Sequence, residues 1–256
     1  MRAFVAFFKK ELLEYTRSGK LLVLFLLFTL FGIMNPAIAK LTPALFDLLS
    51  EEMGELGTIL GDVTVDALTS WTQFFKNIPM ALIAFVLICG GAFVKEYSSG
   101  TLILMLTKGL SRYKVVLAKG LTMLSLWTVG YWLCFAITYG YTAYYWDNGI
   151  AVHLIPAVVF WWLFGVFAVA LTVLFSVLTS SYSGVMLDTG AVVLVSYVFE
   201  FLPKTAKYTP THLMSSGGLL TGAVKIEDFV PSVIIAVTLS ALCFVAAVIA
   251  FNKKRL

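Results

Sequence analysis

Six long apolar stretches dominate this sequence and restrict the folds that it can adopt. They cover residues 21–39, 78–94, 116–139, 154–178, 185–202 and 233–251 of the 256-residue chain. A helix that crosses a hydrocarbon layer about 30 Å thick needs about 20 apolar residues, and each stretch is close to that length. Only 12% of the residues are charged, against about 25% in soluble domains. We therefore predict an all-α polytopic membrane protein with six transmembrane helices.

The positions of lysine and arginine predict the orientation of these spans. Thirteen of the 18 basic residues fall in the N-terminal arm, in segment 95–120 or in the C-terminal tail. The other five lie in the intervening loops, at Lys40, Lys76, Lys204, Lys207 and Lys225. Basic residues collect on the cytoplasmic side of bacterial-type membrane proteins. Both termini and segment 95–120 are therefore predicted to be cytoplasmic, in a multi-pass protein of the plasma membrane. No convincing cleavage site follows the first apolar stretch, so it is expected to be a retained span.

Residues 1–20 form a separate unit, predicted to be an interfacial amphipathic helix before a six-span transmembrane domain at 21–256. On a helical wheel, aromatic residues share one side and basic residues the other, where they are expected to face lipid headgroups. Glu11 falls within the apolar arc, either as a tolerated interfacial carboxylate or as the partner of a basic residue in segment 95–120. The residues assigned to this unit are Phe4, Phe7, Phe8, Lys9, Lys10 and Glu11.

Two long segments are predicted on the outer side. Segment 40–76 is acidic, with helix-like apolar spacing, and is expected to form a solvated helical cap or a surface for a cationic substrate. Segment 203–231 mixes Pro, Gly, Thr and apolar residues and is a candidate re-entrant segment. Pro36 is expected to kink or end the first span.

Several kinds of chemistry find no support in the sequence. The only Gly-Lys pair, Gly19-Lys20, is followed by Leu21 and does not form a GxxxxGK[ST] phosphate loop. The three cysteines lie inside apolar runs, without metal-ligand spacing, and His153 and His212 accompany no hydrolase motif. We expect no catalytic residue, no metal, no cofactor in this chain and no nucleic-acid partner.

Charges deep in a membrane would mark an ion pathway, and the two candidates lie near the ends of the fifth span. Asp188 is expected to pair with the basic segment 95–120, and Glu200 to face headgroups or pair with Lys204. The interior is otherwise apolar and aromatic. This suits the passage of a hydrophobic or amphipathic substrate, or ordinary packing between helices. Its candidate substrate-path residues are Trp127, Trp161 and Trp162.

Segment 95–120 is predicted to contain a short apolar helix that is flanked by basic residues. A serine at 98 or 99 can cap it, the run GTLILMLT supplies an apolar face, and Gly109 can end it. Such a helix parallel to the cytoplasmic surface is typical of a docking element for a soluble partner, or of a turn that contacts only lipid.

The same segment resembles a known family. Glu96, Gly100-Thr101-Leu102, Leu106-Thr107, Ser111-Arg112 and Lys119 are similar to the E…GTL…LLT.P.SR…K pattern of bacterial ABC exporter permeases of the second type, also called the type V fold. Gly109 replaces the usual proline. The resemblance implies that residues 100–107 are the coupling helix, which sits in a groove of the ATP-hydrolysing subunit. The implied coupling residues are Glu96, Gly100, Thr101, Leu102, Leu104, Leu106, Thr107 and Arg112.

The resemblance implies a permease half-transporter that pairs with a second permease copy, expected to form a homodimer, and with two ATPase subunits that carry ATP and Mg²⁺. Family substrates include amphipathic peptides, drugs and lipid-linked polysaccharides. Amphipathic peptides, as in exporters of phenol-soluble modulins, are the expected substrate because the chain is compact and has an acidic outer loop. Alternative hypotheses are a peptide-sensing or immunity protein of the same fold, a secondary transporter or channel, and a membrane-embedded enzyme.

Overall fold

The computed structural model describes residues 2–53, 65–107, 111–202 and 204–254. These residues form helices joined by turns, and no strand occurs among them. The helices are α1 (Arg2–Arg17), α2 (Lys20–Met53), α3 (Ala67–Cys89), α4 (Ala92–Ser98), α5 (Thr101–Thr107), α6 (Arg112–Tyr145), α7 (Leu154–Leu178), α8 (Tyr182–Glu200) and α9 (Val230–Lys253).

Among the described residues, six helical segments are long and apolar enough to cross a membrane, which confirms the predicted fold class. They are Lys20–Ala44, Ala67–Tyr97, Arg112–Tyr145, Leu154–Leu178, Tyr182–Glu200 and Ile226–Lys253. The fourth has the predicted bounds. The second begins 11 residues before the predicted Ile78, because Asp66 caps α3 by accepting a hydrogen bond from the Thr69 backbone N–H at 2.9 Å.

The first span also extends further than predicted. Helix α2 continues through Pro36 and Pro43 to Met53, so the prediction that Pro36 could end it is wrong. The helix-like spacing in the first part of segment 40–76 therefore belongs to α2. Residues 54–64, and the side chains of residues 45–64 with most of the predicted acidic surface, lie outside the described parts of the chain.

Helix α7 lies at the centre of the bundle and packs against α6, α8 and α9. The fully buried Trp127 of α6 donates a hydrogen bond to the Trp162 carbonyl oxygen at 3.2 Å, and Tyr131 donates to the Val158 carbonyl oxygen at 2.7 Å. Both bonds join α6 to α7. The Trp127 ring lies over Gly165, where a Cβ atom would come within 2.1 Å of the ring. Small residues that permit such close approach are typical of packed membrane helices.

A polar layer connects α2, α3 and α6 toward the end of the bundle at which α6 finishes. Buried Asn35 donates to the Thr138 hydroxyl at 3.1 Å and accepts from the Asn77 amide at 2.9 Å. Nearby, the hydroxyl groups of Ser70 and Thr142 lie 2.8 Å apart. Because each buried amide or hydroxyl here has a partner, the layer ties three helices together without leaving these groups unsatisfied.

The predicted outer segment 203–231 is folded into three stretches of 3-10 helix, the longest at Pro210–Thr221. With three residues per turn, the buried residues Pro210, Leu213, Ser216 and Leu219 share one face. Ser216 donates to the Ala157 carbonyl oxygen at 2.8 Å, near the start of α7. The segment therefore packs against the bundle, while its insertion into the outer leaflet stays a prediction.

We expect Gly165→Ala to destabilise the protein, because the added methyl group would overlap the Trp127 ring. The cost of such overpacking is about 1–3 kcal/mol. Gly140→Ala is the matched control: it lies in α6, and no atom comes within 4 Å of its added Cβ. Thermal unfolding in detergent, followed by circular dichroism, should show a lower midpoint for Gly165→Ala alone. Equal midpoints would contradict the packing of Trp127 on Gly165.

Candidate functional site

The amphipathic helix α1 packs one face against the bundle, mainly against α6. Phe7, Glu11 and Tyr15 follow one another at four-residue spacing and are all buried. The predicted aromatic members Phe4 and Phe8 are half-buried against the core, and Lys9 is exposed. The apolar face thus contacts protein, and it carries a carboxylate into the interface between helices.

Glu11 meets a buried lysine of α6. Lys119 Nζ lies 2.8 Å from Glu11 Oε2 and 3.0 Å from Glu96 Oε2, and each of the three side chains is at most 5% exposed. Lys119 belongs to segment 95–120, so the alternative in which Glu11 pairs with a basic residue of that segment is confirmed. One ammonium group therefore joins α1, α4 and α6.

Lys10 and Glu14 complete the cluster. Lys10 Nζ lies 2.8 Å from Glu96, 2.9 Å from Glu14 and 3.0 Å from Glu11. Burial opposes the charge on Lys10, but these hydrogen bonds and charges raise its pKa above the ordinary value of 10.5. Burial likewise opposes the charge on Glu14, yet the hydrogen bond from Lys10 lowers its pKa below 4.5. Lys10 was expected to face lipid headgroups, and the structure corrects this: its ammonium group binds three carboxylates.

We define the charge cluster as Lys10, Glu11, Glu14, Glu96 and Lys119. It can hold α1, α4 and α6 in one arrangement. Removing one partner of a buried ion pair costs about 3–5 kcal/mol, since the remaining charge is left unpaired. Glu96 in α4 and Lys119 in α6 lie near the two ends of the predicted coupling segment, residues 95–120. The cluster therefore fixes both ends of that segment to α1.

A short helix, α5, lies where the resemblance implies a coupling helix; it begins at Thr101 and ends at Thr107. Gly100 precedes it with a φ of +66°, a conformation that favours glycine. Leu102 is buried, Leu106 and Thr101 are half-buried, and Thr107 is exposed. Leu102 therefore attaches α5 to the bundle. The side chain of Leu104 and residue Gly109 lie outside what the structure describes.

Arg112, the remaining predicted coupling residue, binds the end of α9. Its guanidinium group donates to the carbonyl oxygens of Phe251 at 3.1 Å, Asn252 at 3.2 Å and Lys254 at 2.6 Å. A cation at a helix C-terminus satisfies carbonyl groups that have no partner within the helix. This contact also places the C-terminal end of α9 beside segment 95–120 and α1, so both described ends of the chain lie at the same end of the bundle.

The predicted substrate-path residues are packed in the core in this conformation. Trp127 and Trp161 are fully buried, and half-buried Trp162 donates to the Thr128 hydroxyl at 3.3 Å. Edge-to-face contacts join Trp127 to Phe28 and Phe85. These contacts explain the aromatic content by packing, and a role in substrate passage stays a prediction.

Two charged residues of α8, Asp188 and Glu200, have partners other than the expected ones. Asp188 accepts a hydrogen bond from Thr179 at 2.8 Å, whereas Arg112 is engaged at α9. Glu200 accepts from Ser215 at 3.0 Å and lies 3.6 Å from His212 Nδ1. Thr179 lies just after α7, and Ser215 and His212 lie in the 3-10 helix Pro210–Thr221. None of these residues is a lysine or an arginine, so the basic-residue pattern could not indicate them.

Sequence reasoning missed Glu14 and the inward direction of Lys10 and Lys119. Lys10 and Glu14 have the i,i+4 spacing of a helical ion pair, which was a usable signal. The sequence indicated Lys119 as a cytoplasmic positive charge and as the lysine of the family pattern, but not as a buried cation. Its position one helical turn after Val115 and Val116, both buried, places it on the inner face of α6.

Comparison with known families agrees with this architecture. The model of the family described as ABC-2 family transporter protein matches residues 5–254. No curated protein and no solved structure matches the chain. The match includes the spans found among the described residues, most of α1, the charge cluster and α5.

The helical bundle with its charge cluster is thus a multi-pass ABC transporter permease. The chain belongs to the ABC-2 transporter family. Membership of this family implies a partner ATPase subunit in the transporter.

We expect Lys119→Met to lower the free energy of unfolding by about 3–5 kcal/mol, because Glu11 and Glu96 would lose their shared buried cation. The double variant Lys119→Met/Glu11→Gln should recover part of this loss, since it removes one of the crowded carboxylates. Thermal unfolding in detergent measures both effects. Lys114→Met, on the same helix but half-buried and over the Tyr113 ring, is the control. Equal stability of Lys119→Met and Lys114→Met would contradict the cluster.

Proposed function

We propose that this chain exports a hydrophobic or amphipathic substrate, with an amphipathic peptide or toxin as the favoured class and a drug or lipid as alternatives. The energy comes from two cytoplasmic ATPase subunits that bind ATP and Mg²⁺. The observation that carries the proposal is the charge cluster, which connects the predicted coupling segment to α1 and α6 in a chain of the ABC-2 family.

The distribution of buried charge supports an external energy source. Among the described residues, the buried charged side chains are Glu11, Glu96 and Lys119, and all three belong to the cluster at one end of the bundle. Ion-driven transporters place ionisable groups along the ion pathway within the membrane. The described spans have an apolar and hydroxyl-bearing interior instead, which favours drive by a partner ATPase over a secondary transporter.

In the proposed mechanism, ATP binding brings the two ATPase subunits together and moves α5. Leu102 anchors α5 to the bundle, and the charge cluster transmits the displacement to α1 and α6 as one unit. Both termini face the cytoplasm of a bacterial-type cell, as the basic residues indicate. The apolar interior then opens to the outside and releases the substrate.

A second permease copy is part of the proposal, as a homodimer. Helix α8 has only two buried residues, Val185 and Thr189, although it is long enough to span the membrane. Its exposed residues include Leu187, Leu194 and Phe199. A span with so little packing in its own chain can bury this surface against another copy or border a shared substrate pathway.

The docking role of α5 is tested by purification of the chain together with its partner ATPase. We expect Thr107→Asp combined with Leu104→Asp to abolish ATPase retention, because Thr107 is exposed at the end of α5 and both changes put a carboxylate into the helix that is proposed to dock. Leu102→Asp is not used, since it would place a carboxylate in the core.

The control for this experiment is Thr221→Asp combined with Leu202→Asp, which makes the same changes at exposed residues of the opposite end of the bundle. It should retain the ATPase fully. Retention by both double variants, with thermal stability unchanged, would refute docking through α5.

The substrate class is tested with the same complex in proteoliposomes. We expect amphipathic peptides to stimulate ATP hydrolysis severalfold and to accumulate on the side opposite the ATPase. Binding without ATP-dependent movement would favour the peptide-sensing or immunity function. If a drug or a lipid stimulated ATP hydrolysis and peptides did not, that compound would identify the substrate class in place of peptides.

A further inference from the structure

An open apolar groove lies at the end of the bundle that holds the charge cluster. Its volume is about 540 Å³, and it is bordered by the α1–α2 turn, the α3–α4 junction and the start of α8. Val23, Leu87, Ile88 and Tyr182 contribute apolar or aromatic lining, and Lys20 and Lys95 line it as well. The groove thus combines an apolar surface with two cations at the end of the bundle where α2 and α8 begin and α3 ends.

The charge of this lining is positive. It contains two lysines and, among the residues that the structure describes, no aspartate or glutamate. Glu14 is 4.0 Å from Lys95, but its other carboxylate oxygen lies 2.9 Å from Lys10. The lining also includes Gly19 and Lys20, which place the first turn of α2 at the groove. Backbone N–H groups at a helix start favour an anion.

Two exposed apolar stripes lead from the groove along the spans. On α2, Val23 continues at helical spacing to Leu26 and Leu30, which are 62% and 63% exposed. On α3, Leu87 continues in the other chain direction to Ile83 and Met80, which are 57% and 62% exposed. Since the chain spans a membrane, these stripes provide a path for acyl chains from the groove toward the hydrocarbon core.

We propose that this groove is a binding site for an anionic phospholipid. Its phosphate binds between Lys20, Lys95 and the first turn of α2, and an acyl chain lies against Val23 and Leu87. A cationic amphipathic peptide would bring positive charge to the two lysines. A small soluble anion would leave the apolar lining uncovered, so a lipid fits both parts of the groove.

The site is tested by native mass spectrometry of the purified full-length chain with equal amounts of phosphatidylglycerol and phosphatidylcholine. We expect selective retention of phosphatidylglycerol. Lys20→Gln combined with Lys95→Gln should weaken that retention by about tenfold or more, because each lysine near a phosphate adds to the attraction. Leu87→Trp, which fills the groove, should remove phosphatidylglycerol even with both lysines present.

The control is Lys76→Gln combined with Lys225→Gln, the same charge change at exposed lysines of the opposite end of the bundle. It should retain phosphatidylglycerol as the unchanged chain does. Equal loss in the control, unchanged retention in Lys20→Gln/Lys95→Gln, or unchanged retention in Leu87→Trp would each overturn the proposal. Displacement of the lipid by inorganic phosphate would also overturn it, since it would identify a site for a free anion.

This test needs neither the ATPase nor a transported substrate. Its failure would leave the proposed export function intact, and loss of ATPase docking would leave the lipid site intact. Circular dichroism of each variant confirms that lost retention comes from the groove and not from unfolding.

Discussion

The buried ammonium group of Lys119 is the interaction on which the functional end of this structure depends. It is almost fully buried and lies within 3.0 Å of carboxylates from α1 and α4. A charge in such a place is stable only while its partners stay in position. The N-terminal helix, which could otherwise rest loosely at the membrane surface, is thereby held against the segment that leads into α5.

Other contacts at the same end fix the remaining helices. Arg112 binds the last carbonyl groups of α9, and Lys254 donates to the Val177 carbonyl oxygen at the end of α7 at 2.7 Å. Lys254 also lies over the Tyr97 ring at 4.2 Å. Cations from α6 and from the residue after α9 thus bind the ends of α7 and α9 beside α4, so movement of this region is shared with several spans.

The number and type of the spans could be predicted from the sequence because hydrocarbon thickness fixes the length of an apolar helix. The bounds were less predictable. Asp66 starts α3 well before its apolar core, and α2 passes through Pro36 and Pro43, which local propensity alone would disfavour. Single-residue propensities do not register stabilisation by neighbouring helices.

The candidate site was predictable in part. The motif indicated Glu96 and the short helix, and the position of Glu11 in an apolar arc indicated an unusual carboxylate. Which lysine it pairs with depends on the approach of α1 to α6, a contact between residues 108 positions apart. Leu102 shows the same limit, since its spacing could not reveal whether it faces a partner or the bundle.

The most direct test of this account is a distance measurement between α1 and the end of α4. Spin labels at the exposed positions 9 and 99, with half-buried Cys243 replaced, report the separation by pulsed electron resonance. The account predicts one narrow distance distribution in the unchanged chain, with or without ATP-bound partner, and a broad one in Lys119→Met. A narrow distribution in Lys119→Met, or a broad one in the unchanged chain, would contradict the claim that the charge cluster makes these elements move together.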